Sequence, residues 1–237
     1  MGNKMNVKIN LSNDLEKETW PFQSTDLCEI MGRYGSDKGN QNLSKSHNYT
    51  TLYHRLFSEL KNKKFNFFEL GLGTNNTDIA SSMGVNGTPG ASLEGWSEFF
   101  PNAILYGADI DERILYETDR IKTFQCDQTK KSSIDKMWNN EELKDLEFDI
   151  IIEDGLHKPR AQICFFENSI HKVKSGGFYV IEDFKHGHPF QHMCNIFLNY
   201  QKSGRYTDLN VNLYQMPFTS KVHRKNRCNS LVVIQRT

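Results

Sequence analysis

A doubly wound, mostly parallel α/β sheet preceded by a helical lead-in is the fold the sequence predicts, and three observations predict it. From Phe65 onward, short apolar runs alternate with helical segments, the rhythm of a parallel sheet with crossover helices. Several of those runs end in glycine or in an acid, where such sheets bind ligands. The chain of 237 residues holds one α/β domain with a sizeable core and is marginal for two, so one functional site is expected.

The elements follow in order. Residues 1–62 read as the lead-in, polar and broken, with helices around Asp26–Arg33 and Tyr49–Leu60. Between them Gly35-Ser-Asp-Lys-Gly-Asn is a loop by its Gly and Asx content. Residues 63–237 form the main domain. Strands are expected at Asn66–Leu70, Ile104–Asp109, Lys122–Cys126, Phe148–Glu153 and Gly177–Glu182, with Asn210–Gln215 and Ser230–Gln235 closing the sheet as a hairpin. Helices are expected at Ser92–Phe100, Ser132–Trp138 and Arg160–Val173, the last ending in Lys174-Ser-Gly-Gly as a C-cap turn. The polar stretch from Gly73 to Gly90 reads as a long loop belonging to a binding site, because long structureless loops in compact domains are uncommon.

Composition excludes some functions. Lys+Arg and Asp+Glu balance at 29 each, so no net field draws the chain to nucleic acid or to an acidic membrane. Runs such as Ile150–Ile152 and Phe178–Ile181 fall far short of the roughly 20 apolar residues of a membrane helix. The polar N-terminus lacks a signal-peptide core, and the five cysteines are odd in number and widely spaced; a cytoplasmic protein with reduced thiols is expected. The lead-in helices suit packing on their own domain or a homo-oligomer interface alike.

Four strand ends carry the chemistry. The first strand runs into Phe68-Glu69-Leu70-Gly71-Leu72-Gly73, an acid with two glycines at which backbone can approach a ligand closely. The second ends in Gly107-Ala-Asp109-Ile-Asp111, whose Asp109 is placed to accept from a ribose hydroxyl; the third ends in Cys126-Asp127-Gln128, placed for an adenine amino group. Each has a plainer reading as a tight turn or cap; together they point to a nucleoside. A dinucleotide fingerprint would carry a third Gly where Asn76 stands and a helix directly after it, so S-adenosylmethionine is favoured over NAD.

Ile152-Glu153-Asp154-Gly155-Leu156-His157 and Val180-Ile181-Glu182-Asp183-Phe184 lie at neighbouring strand ends, which crowds Asp154, His157, Glu182 and Asp183 together. Bare carboxylates that close need raised pKa values or a cation, and Mg²⁺ or Mn²⁺ is the economical solution. For any one of these acids, a cap or a partner among Lys158, Arg160 and Lys185 is an equal alternative. His157, three residues after Asp154, is placed as a base with an ordinary pKa of about 6.5. His186, His188 and His192 with Cys194 match no closed zinc site and read as surface or as an acceptor-facing loop. For His47, Tyr49 and Tyr53 aromatic packing is the default, and a cofactor lid touching through Tyr49 is the alternative.

As an ordered set, these motifs resemble the metal-dependent sugar O-methyltransferases of the macrocin and mycinamicin type, with a Rossmann-like class I methyltransferase sheet. The resemblance runs from about Tyr34 to Phe184. It rests on Gly35-Ser-Asp-Lys-Gly, His47-Asn-Tyr-Thr-x-x-Tyr53, Glu69-Leu-Gly-Leu-Gly73, Ala91-Ser-Leu-x-x-Trp96, Gly107-Ala-Asp-Ile-Asp111, Phe124-Gln-Cys-Asp-Gln128, Glu153-Asp-Gly-x-His157 and Ile181-Glu-Asp183. It implies Asp154, Glu182 and Asp183 as Mg²⁺ ligands and His157 as general base. It further implies Glu69, Gly71, Gly73, Asp109, Asp127 and Gln128 at S-adenosylmethionine, with Ser92 near the methionine carboxylate. The chain departs from the pattern at Glu153 and Leu156, and the segment after Phe184 is its own.

The reaction so implied is in-line attack of a hydroxyl, deprotonated by His157, on the sulfonium methyl. The expected acceptor is a sugar, nucleotide-linked or part of a surface polysaccharide such as capsule. Lys158, Arg160, Lys185 and Arg224 are candidate diphosphate contacts. An NAD-dependent sugar oxidoreductase and a non-catalytic S-adenosylmethionine-binding subunit are the rival readings; the first lacks a Tyr-x-x-x-Lys site, and the second has no need of the clustered acids and His157.

Overall fold

A computed structural model of the chain describes residues 4–17, 24–39, 47–217 and 228–237. Among them an eight-stranded sheet forms from β1 (Asn6–Asn10), β2 (Asn66–Leu70), β3 (Ile104–Asp109), β4 (Ile121–Gln125), β5 (Phe148–Glu153), β6 (Val173–Ile181), β7 (Leu209–Gln215) and β8 (Ser230–Arg236). Their order across the sheet is β1-β7-β8-β6-β5-β2-β3-β4. All neighbouring pairs are parallel except β6–β8 and β7–β8. The chain winds outward from β2 to β4 and returns to start again at β5, so β2 and β5 flank the switch point where open α/β sheets bind ligands.

The central strands are largely apolar because both faces are covered. Side chains alternate between the two cores with the period of 2 that an extended backbone imposes. Phe67, Ile150, Ile152 and Val180 enter one core with Leu27, Tyr53, Phe57, Trp96 and Phe100. Phe68, Ile151, Tyr179 and Ile181 enter the other with Trp138, Phe165, Phe166 and Phe197. The first core packs under α2 (Asp26–Tyr34), α3 (Tyr49–Phe57) and α4 (Ala91–Phe99); the second lies under α5 (Lys131–Trp138), α6 (Pro159–Glu167) and α7 (His188–Ser203). A short α1 (Ser12–Lys17) follows β1. The lead-in helices α2 and α3 therefore pack on their own chain. No helix of the described residues is long and apolar enough to cross a membrane.

The expected strands hold to within a residue except β6, which begins earlier. Helix α6 stops at Glu167, and a 3₁₀ turn over Ile170–Lys172 leads directly into β6. Lys174-Ser-Gly-Gly is accordingly no helix cap. It forms the irregular start of the strand, where the β5 register jumps from Phe148↔Val173 to Ile150↔Phe178, and Gly176 takes φ +81°. Three elements were not expected: the edge strand β1, the short α1, and α7, where the His186–Cys194 stretch read as surface or loop.

Candidate active site

A cavity of about 220 Å³ opens at the carboxyl ends of β2, β3, β4 and β5. Leu70–Thr74, Ser92, Asp109, Ile110, Cys126–Thr129 and Asp154–His157 line it, with Ile79 and Met83 from the 73–90 loop. Gly71 is dictated by geometry: φ is +93°, and a Cβ there would lie 2.0 Å from the Asp154 carbonyl oxygen. That close approach locks β2 to β5, with Asp154 N–H donating to Leu70 O at 2.8 Å. Gly73, at φ +75°, leaves room that Met83 fills.

The expected cofactor residues fall around this cavity, not all facing it. Glu69 is fully buried beneath it and accepts from Ser92 Oγ at 3.0 Å. Burial pushes its carboxyl up to about 7, against the opposing pull of Lys38. Asp109 accepts from the backbone N–H groups of Leu72 and Asp111 at 2.8 and 2.9 Å, which fixes the first loop. Asp127 Oδ1 caps its own turn through Thr129 at 2.6 Å. Gln128 accepts from Leu156 N–H at 2.6 Å and donates to Glu153 Oε1 at 2.7 Å, so it braces the Asp154–His157 turn from below. Tyr49 departs from expectation. It is fully buried, stacked on His47 with centroids 4.7 Å apart, and donates to Asp183 Oδ1 at 2.5 Å; its hydroxyl serves the acid cluster and not the cavity.

The acids converge as expected. Donor atoms of Asp154, His157 and Asp183 lie within 4.8 Å of one another, at the mouth of the cavity. His157 Nε2 is 3.0 Å from Asp154 Oδ1, and Nδ1 is 3.9 Å from Asp183 Oδ2. Both His157 and Asp183 hold positive φ (54° and 57°), a conformation costing non-glycine residues roughly 1–2 kcal/mol and concentrated at functional sites. The two carboxylates are oxygen donors of the kind a hard divalent cation takes, and the imidazole stands beside them. Glu182, the third expected ligand, is buried with its oxygens engaged by the chain's own groups: Tyr53 donates to Oε1 at 2.5 Å and Lys38 Nζ is 2.8 Å from Oε2.

Lys38 is the residue that motif reading passed over. Its side chain is 1% exposed, and its ammonium also pairs with Asp154 Oδ2 and stands 3.2 Å from Glu69 Oε1, the last without hydrogen-bond geometry. Burial opposes its charge, but Asp154, Glu182 and Glu69 raise its pKa well above the ordinary value. Burial likewise opposes ionisation of Asp154, yet Lys38 and the His157 hydrogen bond hold its carboxyl below the usual range. Burial lowers His157; the Asp154 hydrogen bond and the Asp183 and Asp154 charges outweigh it and push the imidazole up to about 10. The signal that would have found Lys38 was its place in Gly35-Ser-Asp-Lys-Gly, a loop otherwise unexplained.

His47 joins the cluster, its Nε2 3.4 Å from Asp183 Oδ2, whereas the His186–Cys194 segment takes no part. His186 is buried with Nε2 3.1 Å from Asn229 O, and Cys194 lies in the core. Lys158, Arg160 and Lys185 are exposed and off the cavity lining, and Arg224 lies outside the described residues.

Comparison with known proteins bears out the resemblance that the motifs carry. The chain is 32% identical over 158 residues to mycinamicin VI 2''-O-methyltransferase of Micromonospora griseorubida, and 31% identical over 158 to demethylmacrocin O-methyltransferase of Streptomyces fradiae. It is 31% identical over 159 to a rhamnosyl-tetracenomycin-C 3'-O-methyltransferase of Streptomyces olivaceus. Each match covers 67% of this chain and 36% of the relative, so the chain spans about a third of the length of these relatives. No family model matches. Among solved structures, the MycE methyltransferase of the mycinamycin pathway, in complex with Mg, SAH and mycinamycin VI, superposes with a TM-score of 0.65. It is 23% identical, over 90% of this chain and 55% of that one. An O-methyltransferase from Bacillus cereus in complex with SAH matches at 0.54 and 11% identity, over 95% and 96% of the two chains. The fold is that of the class I methyltransferases.

Proposed function

We propose that the protein is an S-adenosylmethionine-dependent O-methyltransferase acting on a sugar hydroxyl, with Asp154, Glu182 and Asp183 holding a divalent cation and His157 as the base. The observation that carries this reading is the meeting of Asp154, His157 and Asp183 at the mouth of the glycine-bounded cavity on the β2/β5 switch point. The curated relatives, named as methylating sugars of glycosylated natural products, support the same reading. A nucleotide-linked or surface-polysaccharide sugar is the finer proposal for the acceptor.

Bound S-adenosylmethionine supplies the electrophilic methyl. The chain's own part is orientation and proton transfer. Gly71 and Gly73 let the first loop pack closely on Asp154 and Met83 at the cavity wall, and Ser92 and Glu69 form a polar floor beneath it. Gln128 braces the turn that aims His157. The acceptor oxygen takes the methyl, its proton passes to the His157 imidazole, and the thioether leaves. Positioning of this kind is worth several powers of ten. A divalent cation on the acids would lower the hydroxyl's pKa and cancel the field that keeps His157 charged.

Calorimetric titration with S-adenosylmethionine and with NAD, each with and without Mg²⁺, tests the cofactor. Micromolar binding of S-adenosylmethionine with none of NAD is expected, and the reverse would overturn the reading. Methyl transfer from labelled cofactor to nucleotide-sugars, compared with a rhamnosylated aromatic polyketide, then tests the acceptor.

A further inference from the structure

Three carboxylates from three strand ends meet one ammonium in the interior. Glu69 ends β2, Asp154 follows β5 and Glu182 follows β6, and Lys38 reaches all of them from the loop after α2. Their other oxygens are held as well: Tyr53 donates to Glu182 Oε1, Ser92 to Glu69 Oε2, and His157 Nε2 sits on Asp154 Oδ1. Tyr49 holds Asp183 in the same way. The cluster is therefore fully assembled by the chain's own groups. Uncompensated, three carboxylates this close, Glu69 and Glu182 buried and Asp154 partly so, would repel one another and resist ionisation; Lys38 is the one cation within 4 Å of all three among the described residues.

From this geometry we infer that Lys38 is a resident counter-ion that competes with the divalent cation for Asp154 and Glu182. The inference rests on the metal reading above. Lys38 keeps the acids together when no cation is bound, and any cation that enters binds against its positive charge. Like charges a few ångströms apart in a protein interior repel strongly. Lys38 thus sets metal affinity well below what the acids alone would give, and makes folding of the site independent of metal.

Lys38→Met keeps the length and apolar stem and removes the charge; Lys38→Arg keeps the charge. The probe is Mn²⁺ alone, followed by the electron paramagnetic resonance signal of the free ion, with thermal melting in EDTA and in Mn²⁺ beside it. Wild type is expected to bind Mn²⁺ weakly and melt at nearly the same temperature with and without it. Lys38→Met is expected to bind at least tenfold tighter, to melt lower in EDTA, and to regain stability on adding Mn²⁺; Lys38→Arg should stay within threefold of wild-type affinity. Equal or weaker binding by Lys38→Met, while wild type binds, overturns the competition and leaves the metal reading standing. Failure of Lys38→Met to fold even in Mn²⁺ overturns it too, since the cation would then not replace the ammonium. A tenfold change in Lys38→Arg would show that shape and not charge is at work. Absence of Mn²⁺ binding in every variant overturns both the inference and the metal reading.

Discussion

Replacing Gly71 with Ala attacks the contact on which the whole site is built. The residue sits at φ +93°, where an L side chain costs about 1–2 kcal/mol. Its Cβ would lie 2.0 Å from the Asp154 carbonyl oxygen and 2.5 Å from its carbon, both backbone atoms that no rotamer change can move aside. Relief requires β2 and β5 to part by roughly 1 Å or more, an overpacking worth about 1–3 kcal/mol. That movement also stretches the 2.8 Å bond from Asp154 N–H to Leu70 O, worth about 1 kcal/mol. The total is about 3–6 kcal/mol. For a chain of this size it lowers Tm by roughly 6–24 °C. Gly176→Ala is the control: its φ of +81° exacts the conformational cost, but its Cβ would meet nothing within 4 Å, so a fall of a few degrees is expected. Scanning calorimetry of both variants beside wild type decides it. A Gly71→Ala transition no lower than that of Gly176→Ala would mean that the β2–β5 contact is not the rigid element described here.

Other predictions concern the acids and His157. His157→Ala should lower turnover by about 10²- to 10⁴-fold with S-adenosylmethionine affinity nearly unchanged; wild-type turnover on a validated acceptor would remove His157 from the role. In metal-free protein the folded His157 pKa is raised, so its contribution to stability is complete below about pH 6.5 and is lost as pH rises through about 10. Melting in EDTA should therefore fall across that window in wild type relative to His157→Gln, and parallel curves would contradict it. Tyr49→Phe removes the donor to Asp183 and should cost about 1–3 kcal/mol without weakening the cofactor, whereas a tenfold loss of S-adenosylmethionine affinity would return Tyr49 to a cofactor role. Gln128→Met should reduce turnover more than cofactor affinity, because the amide braces Leu156 and Glu153; the opposite split would mark it as an adenine ligand.

The central strands were legible because burial on both faces makes each a continuous apolar run, and their ends were legible because Gly and acid stand where backbone meets ligand. β1 was not: Asn-Val-Lys-Ile-Asn is a five-residue edge strand whose alternation is mostly polar, and only its pairing with β7 makes it a strand. Helix α7 was misjudged for a different reason. His186, His188 and His192 read as surface or loop, while Phe190, Met193, Cys194, Phe197 and Tyr200 carry helical spacing, and Pro189 suits a first turn. The C-cap reading of Lys174-Ser-Gly-Gly failed because a bulged strand start and a helix cap use the same residues.

The site itself divides along the same line. Asp154, His157, Glu182 and Asp183 could be brought together from sequence because each ends a strand, and strand order follows from the pattern of crossovers. Lys38, Tyr49 and Tyr53 could not, since the acids they hydrogen-bond lie 116 to 144 residues away and they belong to a segment without sheet periodicity. Yet these three supply the charge and the donors that let the acids sit in the interior. The lead-in is therefore half of the site. Its loop and helix α3 face the strand ends from the side opposite the α5–α7 layer, and the acids find their ammonium and hydroxyl donors only where the two halves meet.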